Sequence, residues 1–108
     1  MQDNNNFTIL QGAHPLTRQT RISENQTELD CGMKILDYEP LDIEFDNDKR
    51  LERIIHYRKD NKVITFYVTP EPTVGMKILS LDNGITKTTS VFHSISIENV
   101  PAILKMTS

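Results

Sequence analysis

From residue 31 onward, apolar and polar positions alternate in short runs broken by turn formers. Met33-Lys34-Ile35-Leu36-Asp37-Tyr38 runs as far as Glu39-Pro40, where helix is disfavoured at the residue before proline. Leu41-Asp42-Ile43-Glu44-Phe45 alternates strictly until Asp46-Asn47-Asp48 breaks the pattern. Both runs predict strands.

The next stretch admits two readings. Leu51, Ile54 and Ile55 fall at i, i+3 and i+4, with Asp46 or Asp48 placed to cap a helix over residues 49–59. The alternative is a hairpin, and it is preferred for three reasons. Ile54-Ile55-His56-Tyr57 is β-branched and aromatic, Lys62–Val68 is strongly strand-like, and Lys59-Asp60-Asn61 supplies turn formers between them. Folding the chain about Asp60-Asn61 sets Arg58 opposite Val63, Tyr57 opposite Ile64, His56 opposite Thr65, Ile55 opposite Phe66 and Ile54 opposite Tyr67. One face of the pair is then Ile55, Tyr57, Ile64, Phe66 and Val68, a core face; the other is Ile54, His56, Arg58, Val63, Thr65 and Tyr67.

Pro70-Glu71-Pro72 suits neither helix nor central strand and reads as a loop. Asn83-Gly84, between two strand-like runs, is the strongest short hairpin signal in the chain. In the returning strand, Ile85, Val91, Ile95 and Ile97 are expected to share one face. The chain closes on a short amphipathic helix: Asn99 can cap it, Pro101 sits in its first turn, and Val100, Ile103 and Leu104 form its apolar stripe.

The pentapeptide Gly-Met-Lys-Ile-Leu occurs at 32–36 and again at 75–79. The residues that follow the two copies do not correspond, and a stacked-repeat architecture needs at least three units to bury its apolar faces. Both copies are therefore expected to be strands of the same alternation, each opened by its glycine. Residues 1–30 hold isolated apolar positions among Asn, Gln, Thr and charge, with no helical or strand period, so burial cannot offset the entropy of ordering them. The expected organisation is a flexible, disordered N-terminal arm (1–30) and a small β-rich domain (31–108). The fold class is mainly β (α+β): an antiparallel meander of about six strands with a short C-terminal helix.

Composition narrows the setting. At 108 residues there is room for one domain at most. No run approaches the eighteen or more apolar residues of a membrane span, and the first residues lack the basic and apolar regions of a signal peptide. Cys31 is the only cysteine, so no intrachain disulfide can form. These features point to an intracellular, cytoplasmic protein without a membrane partner. Charge is divided: residues 1–48 carry three basic and ten acidic side chains, residues 49–108 nine basic and five acidic. An acidic segment of this kind can lie over a basic surface and compete with polyanions.

Catalytic and metal chemistry finds little footing. His14, His56, His93 and Cys31 are scattered singly, which indicates no zinc site. Asp42, Glu44, Asp46 and Asp48 alternate as in a calcium loop, yet a loop opening at Asp42 puts Asn47 and Arg53 where glycine and glutamate belong. Cys31 stands beside Asp30, which opposes thiolate formation. The four glycines are too dispersed for a phosphate loop. No cofactor is expected.

One constellation remains: the basic residues Lys49, Arg50, Arg53, Arg58, Lys59 and Lys62, interleaved with His56, Tyr57, Phe66 and Tyr67. Cations that neutralise phosphates beside rings that stack on bases bind single-stranded nucleic acid. The competing reading is a solvated strand face whose lysines oppose edge pairing. The acidic balance of the whole chain favours the second. The sequence thus points to a small non-enzymatic protein-binding module, an adaptor or regulator. It would hold a protein partner or another copy of itself through Ile54, His56, Arg58, Tyr67, Arg53 and Lys62. The alternatives are a single-stranded nucleic-acid binder using the same face, and a small hydrolase with carboxylate or His56/His93 chemistry.

Overall fold

A computed structural model describes residues 15–41, 45–47 and 52–107. The first fourteen residues, the acidic positions Asp42, Glu44 and Asp48, and the basic pair Lys49 and Arg50 lie outside the described residues. In chain order the elements are α1 (Pro15–Ile35), β1 (Glu39–Pro40), β2 (Phe45–Asn47), β3 (Glu52–Lys59), β4 (Lys62–Val68), β5 (Thr73–Asp82), β6 (Ile85–Ser96), a 3₁₀ turn (Ile97–Asn99) and α2 (Val100–Thr107).

The fold is mainly β, one open antiparallel sheet with a short C-terminal helix. Its strands follow chain order, with β1 and β2 both paired to β3 and then β4, β5 and β6. The expected number of about six strands is corrected to five places in the sheet. β1 and β2 occupy one edge between them, Glu39 and Pro40 facing Arg58 and Tyr57 while Phe45–Asn47 face Ile54–Glu52. Pro40 has no N–H to continue a ladder, which suits it to this broken edge.

The β3–β4 hairpin has the register read from its alternation: Arg58 faces Val63, Tyr57 faces Ile64, His56 faces Thr65, Ile55 faces Phe66 and Ile54 faces Tyr67. Asp60 turns the chain at φ 54°. The strand reading of residues 52–59 therefore holds over the helical one, and Ile55, Tyr57, Ile64, Phe66 and Val68 are all buried as the core face. Tyr57 and Phe66 meet edge to face, ring centroids 5.7 Å apart. The second hairpin turns on Asn83 (φ 53°) and Gly84 (φ 80°), the paired positive values of a type I′ turn, which glycine and asparagine tolerate best.

β6 departs from expectation. Its ladder with β5 shifts register between Val74 and Met76 and again between Ile78 and Leu79. Each shift moves the following side chains to the other face. Ile95 and Ile97 are buried, whereas Ile85 and Val91 are 71 % and 48 % exposed. The four do not share a face.

The larger correction is at the N-terminus. Residues 15–30 are not a disordered arm: they form most of α1, whose Ile22, Leu29 and Met33 are buried in the core. The spacing of these three, seven and then four, places them on one helical stripe. Polar side chains fasten the same helix. Asn25 Nδ2 donates to the carbonyls of Thr69 and Glu71, both at 2.8 Å, and Arg53 Nη1 donates to Gln26 Oε1 at 2.8 Å. The Tyr57 hydroxyl donates to Asp30 Oδ1. Burial first, then that bond and the charge of Asp30, hold the Tyr57 hydroxyl well above the ordinary tyrosine range.

The first Gly-Met-Lys-Ile-Leu copy is thus the end of a helix and not a strand, while the second lies within β5. α1 stops in a left-handed residue, Asp37 (φ 68°). Tyr38 N–H bonds the Met33 carbonyl at 2.9 Å and Asp37 N–H bonds that of Lys34 at 3.0 Å, the two bonds of a Schellman cap. α2 has the expected stripe, Val100 and Leu104 buried and Ile103 half-buried, and packs beside α1. A side chain at Gly32 would meet Pro101 Cγ at 3.5 Å.

Candidate open-face binding site

The residues touching α1 identify the covered side of the sheet. Arg53, Tyr57 and Lys59 of β3 all reach this helix or its cap. Alternation then sends Ile54, His56 and Arg58 to the opposite face, with Val63, Thr65 and Tyr67 of β4. In β5, Gly75, Lys77 and Leu79 pair with Tyr67, Thr65 and Val63 and so continue the same face. Val91 of β6 follows opposite Lys77. No described helix lies on this side.

The six residues expected to form a binding surface are therefore divided. Ile54, His56, Arg58 and Tyr67 stand together on the open face. Arg53 points the other way and is held by Gln26, with Ser23 Oγ a further 3.5 Å contact. Lys62 also alternates to the helix-bearing side, at the far end of the hairpin. With Arg53, Lys59 and Lys62 turned away, the cations left on the open face by these strands are Arg58 and Lys77, and no basic stripe runs across it among the described residues.

Gly75 is the centre of the face. It lacks a side chain where Tyr67 approaches: a Cβ there would lie 3.5 Å from Tyr67 Cβ and Cδ1 and 3.6 Å from the His93 carbonyl oxygen. The result is a cleft of about 350 Å³, walled by Glu52, Tyr67, Thr73, Lys77, Val91 and His93. Lys77 Nζ sits over the Tyr67 ring, 5.4 Å from its centroid. That contact is a cation–π pair at the wall of the cleft. Further along the face, His56 Nδ1 and Thr65 Oγ1 are 2.8 Å apart, and this bond satisfies a threonine that is buried although it lies on the open side.

Sequence reasoning placed Tyr67 here and named His93 only as a catalytic partner of His56; it missed Gly75, Lys77 and Val91 as parts of this site. An isolated glycine inside a strand pattern was the available signal, since it often marks a close approach of another group. Val91 and His93 depend on the β6 register shifts, which alternation does not reveal.

His56 and His93 do not converge, as the hydrolase alternative would require. The row His56, Thr65, Lys77, Val91 crosses three strand spacings, about 14 Å, and His93 lies beyond it. Among the described residues no group of three or more His, Cys, Asp or Glu side chains is placed to hold a metal ion, and no helix is long and apolar enough to cross a membrane. Cys31 is an exposed free thiol on α1.

The chain matches no protein-family model, and no curated protein or solved structure is significantly similar to it.

Proposed function

We propose that this chain is a cytoplasmic, non-enzymatic protein-binding module that takes its partner on the open face of the sheet. The observation that carries this reading is the composition of that face. Ile54, Val63, Tyr67, Leu79 and Val91 keep solvent contact there, with Arg58 and Lys77 among them. An apolar and aromatic surface with few charges is the anatomy of a protein interface, and Tyr and Arg are the side chains that most often dominate its energy. A partner surface of apolar side chains flanked by carboxylates fits it. A nucleic-acid strand would need a track of cations, and Arg53, Lys59 and Lys62 are not there to make one.

The test is capture of partners from the host by the full chain and by Tyr67→Ala and Val91→Asp, both at solvent-accessible positions that leave the core intact. A protein retained by the wild type is then purified and titrated calorimetrically. Each substitution should weaken its binding by about 2 kcal/mol with the thermal midpoint unchanged. Equal binding by all three chains would refute the reading. The second reading has the Tyr67 ring and the Lys77 and Arg58 cations in its favour. Anisotropy with labelled single strands at two salt concentrations decides it: salt-sensitive binding lost in Tyr67→Ala would put nucleic acid first.

A further inference from the structure

A second cleft lies on the other side of the sheet, where both helices end. α1 stops at Ile35 and α2 at Thr107. Past their last turns, the cleft lies beside Ile78 on the helix-bearing face. The cleft measures about 630 Å³, well inside the range of small-molecule sites and larger than the one at Gly75. Its floor is apolar, made by Tyr38 and Ile78, which are buried at 7 % and 4 % exposure. Its walls carry hydroxyls, among them Ser90 and Thr107.

The rim is cationic. Lys59 and Lys62 flank the β3–β4 turn and both line the cleft, against one carboxylate, Asp60. The two lysines differ in what they do. Lys59 Nζ donates to the Leu36 carbonyl at 3.0 Å and lies 5.7 Å from the centroid of the Tyr38 ring, so it fastens the α1 cap to the sheet. Lys62 Nζ, by contrast, makes no hydrogen bond or ion pair with any described residue. An ammonium paired with no described carboxylate, at the mouth of a cleft with an apolar floor, favours a ligand that is anionic at one end and apolar along the rest.

We propose that this cleft binds a small amphipathic carboxylate, its apolar body against Tyr38 and Ile78 and its carboxylate paired with Lys62. Inorganic phosphate could use the ammonium but not the floor, and an alcohol of the same chain length could use the floor but not the ammonium. Apart from Leu79, which borders both, the cleft shares no lining residue with the open face.

The experiment is a titration of the isotope-labelled full chain with octanoate, octanol and inorganic phosphate, followed through its backbone amide NMR signals. Octanoate should shift the amides around Lys62, Ile78, Ser90 and Thr107, and should bind about tenfold more tightly than either of the others. Lys62→Gln, a surface change, should remove that advantage over octanol, and Ser90→Leu should fill the cleft and abolish the shifts. Octanol or phosphate binding as well as octanoate, Lys62→Gln retaining full octanoate affinity, shifts centred away from the cleft, or no shifts at millimolar octanoate would each overturn the assignment.

Discussion

Replacing Ile22 by alanine tests whether α1 belongs to the core. Ile22 is 1 % exposed, on the same stripe as Leu29 and Met33. The substitution removes about three methylene equivalents at about 0.8 kcal/mol each, and the cavity left behind adds to the loss, for about 3 kcal/mol in all. A domain of this size has about 5 to 10 kcal/mol of stability to lose. With a urea slope of about 1 to 1.5 kcal/mol per molar, the unfolding midpoint should fall by about 2 to 3 M while the slope stays constant. Ile35→Ala is the control. Ile35 is 79 % exposed on the same helix, and its replacement changes helix propensity in the same way without opening a cavity. Its midpoint should stay close to that of the wild type. A near-normal midpoint for Ile22→Ala, or an equal fall for Ile35→Ala, would refute the docking of α1.

Two further outcomes are expected. In α2, Leu104→Asp places a charge at a buried position and should cost several kcal/mol in a denaturant titration, whereas Met106→Asp, two residues on and exposed, should cost almost nothing. The Tyr57 hydroxyl is raised in the folded state, so the stability it confers is complete below the ordinary tyrosine value of about 10 and is lost as pH climbs above it. Thermal melts between pH 8 and 11 should show that alkaline loss in the wild type and a shallower one in Tyr57→Phe; parallel curves would refute the assignment.

What the sequence reveals and what it hides follow from one distinction. The β3–β4 hairpin is legible because its turn formers and its alternation agree, and a period of two fixes register to the residue. The Asn83-Gly84 turn is legible because few residues accept two positive φ values. α1 is hidden because it reaches the core through three apolar residues and is otherwise fastened by Asn25, Gln26 and Asp30, the residue types that mark a segment as disordered when partners are out of sight. Pro15 at its first position is the cue that remained. The two Gly-Met-Lys-Ile-Leu copies make the point most directly: neighbours decide between helix and strand, and the pentapeptide does not. The division of the candidate site has the same origin, since Arg53 and Lys62 are close in sequence to His56 and Arg58 but alternate to the other face.

The meander order of the sheet also bears on how the chain folds. From β2 onward every strand pairs with its neighbour in sequence, so hairpins can close early, over short loops. α1 is different: Asn25 must find Thr69 and Glu71, 44 and 46 positions away, a costlier closure than that of a hairpin. Contacts made after the rate-limiting step govern how fast the native state is lost rather than how fast it is reached. If α1 docks after that step, its tie to the sheet sets the lifetime of the folded protein. Until it forms, the core face of the sheet lacks the cover of Ile22, Leu29 and Met33, and exposed apolar surface of that kind makes newly made chains prone to aggregate.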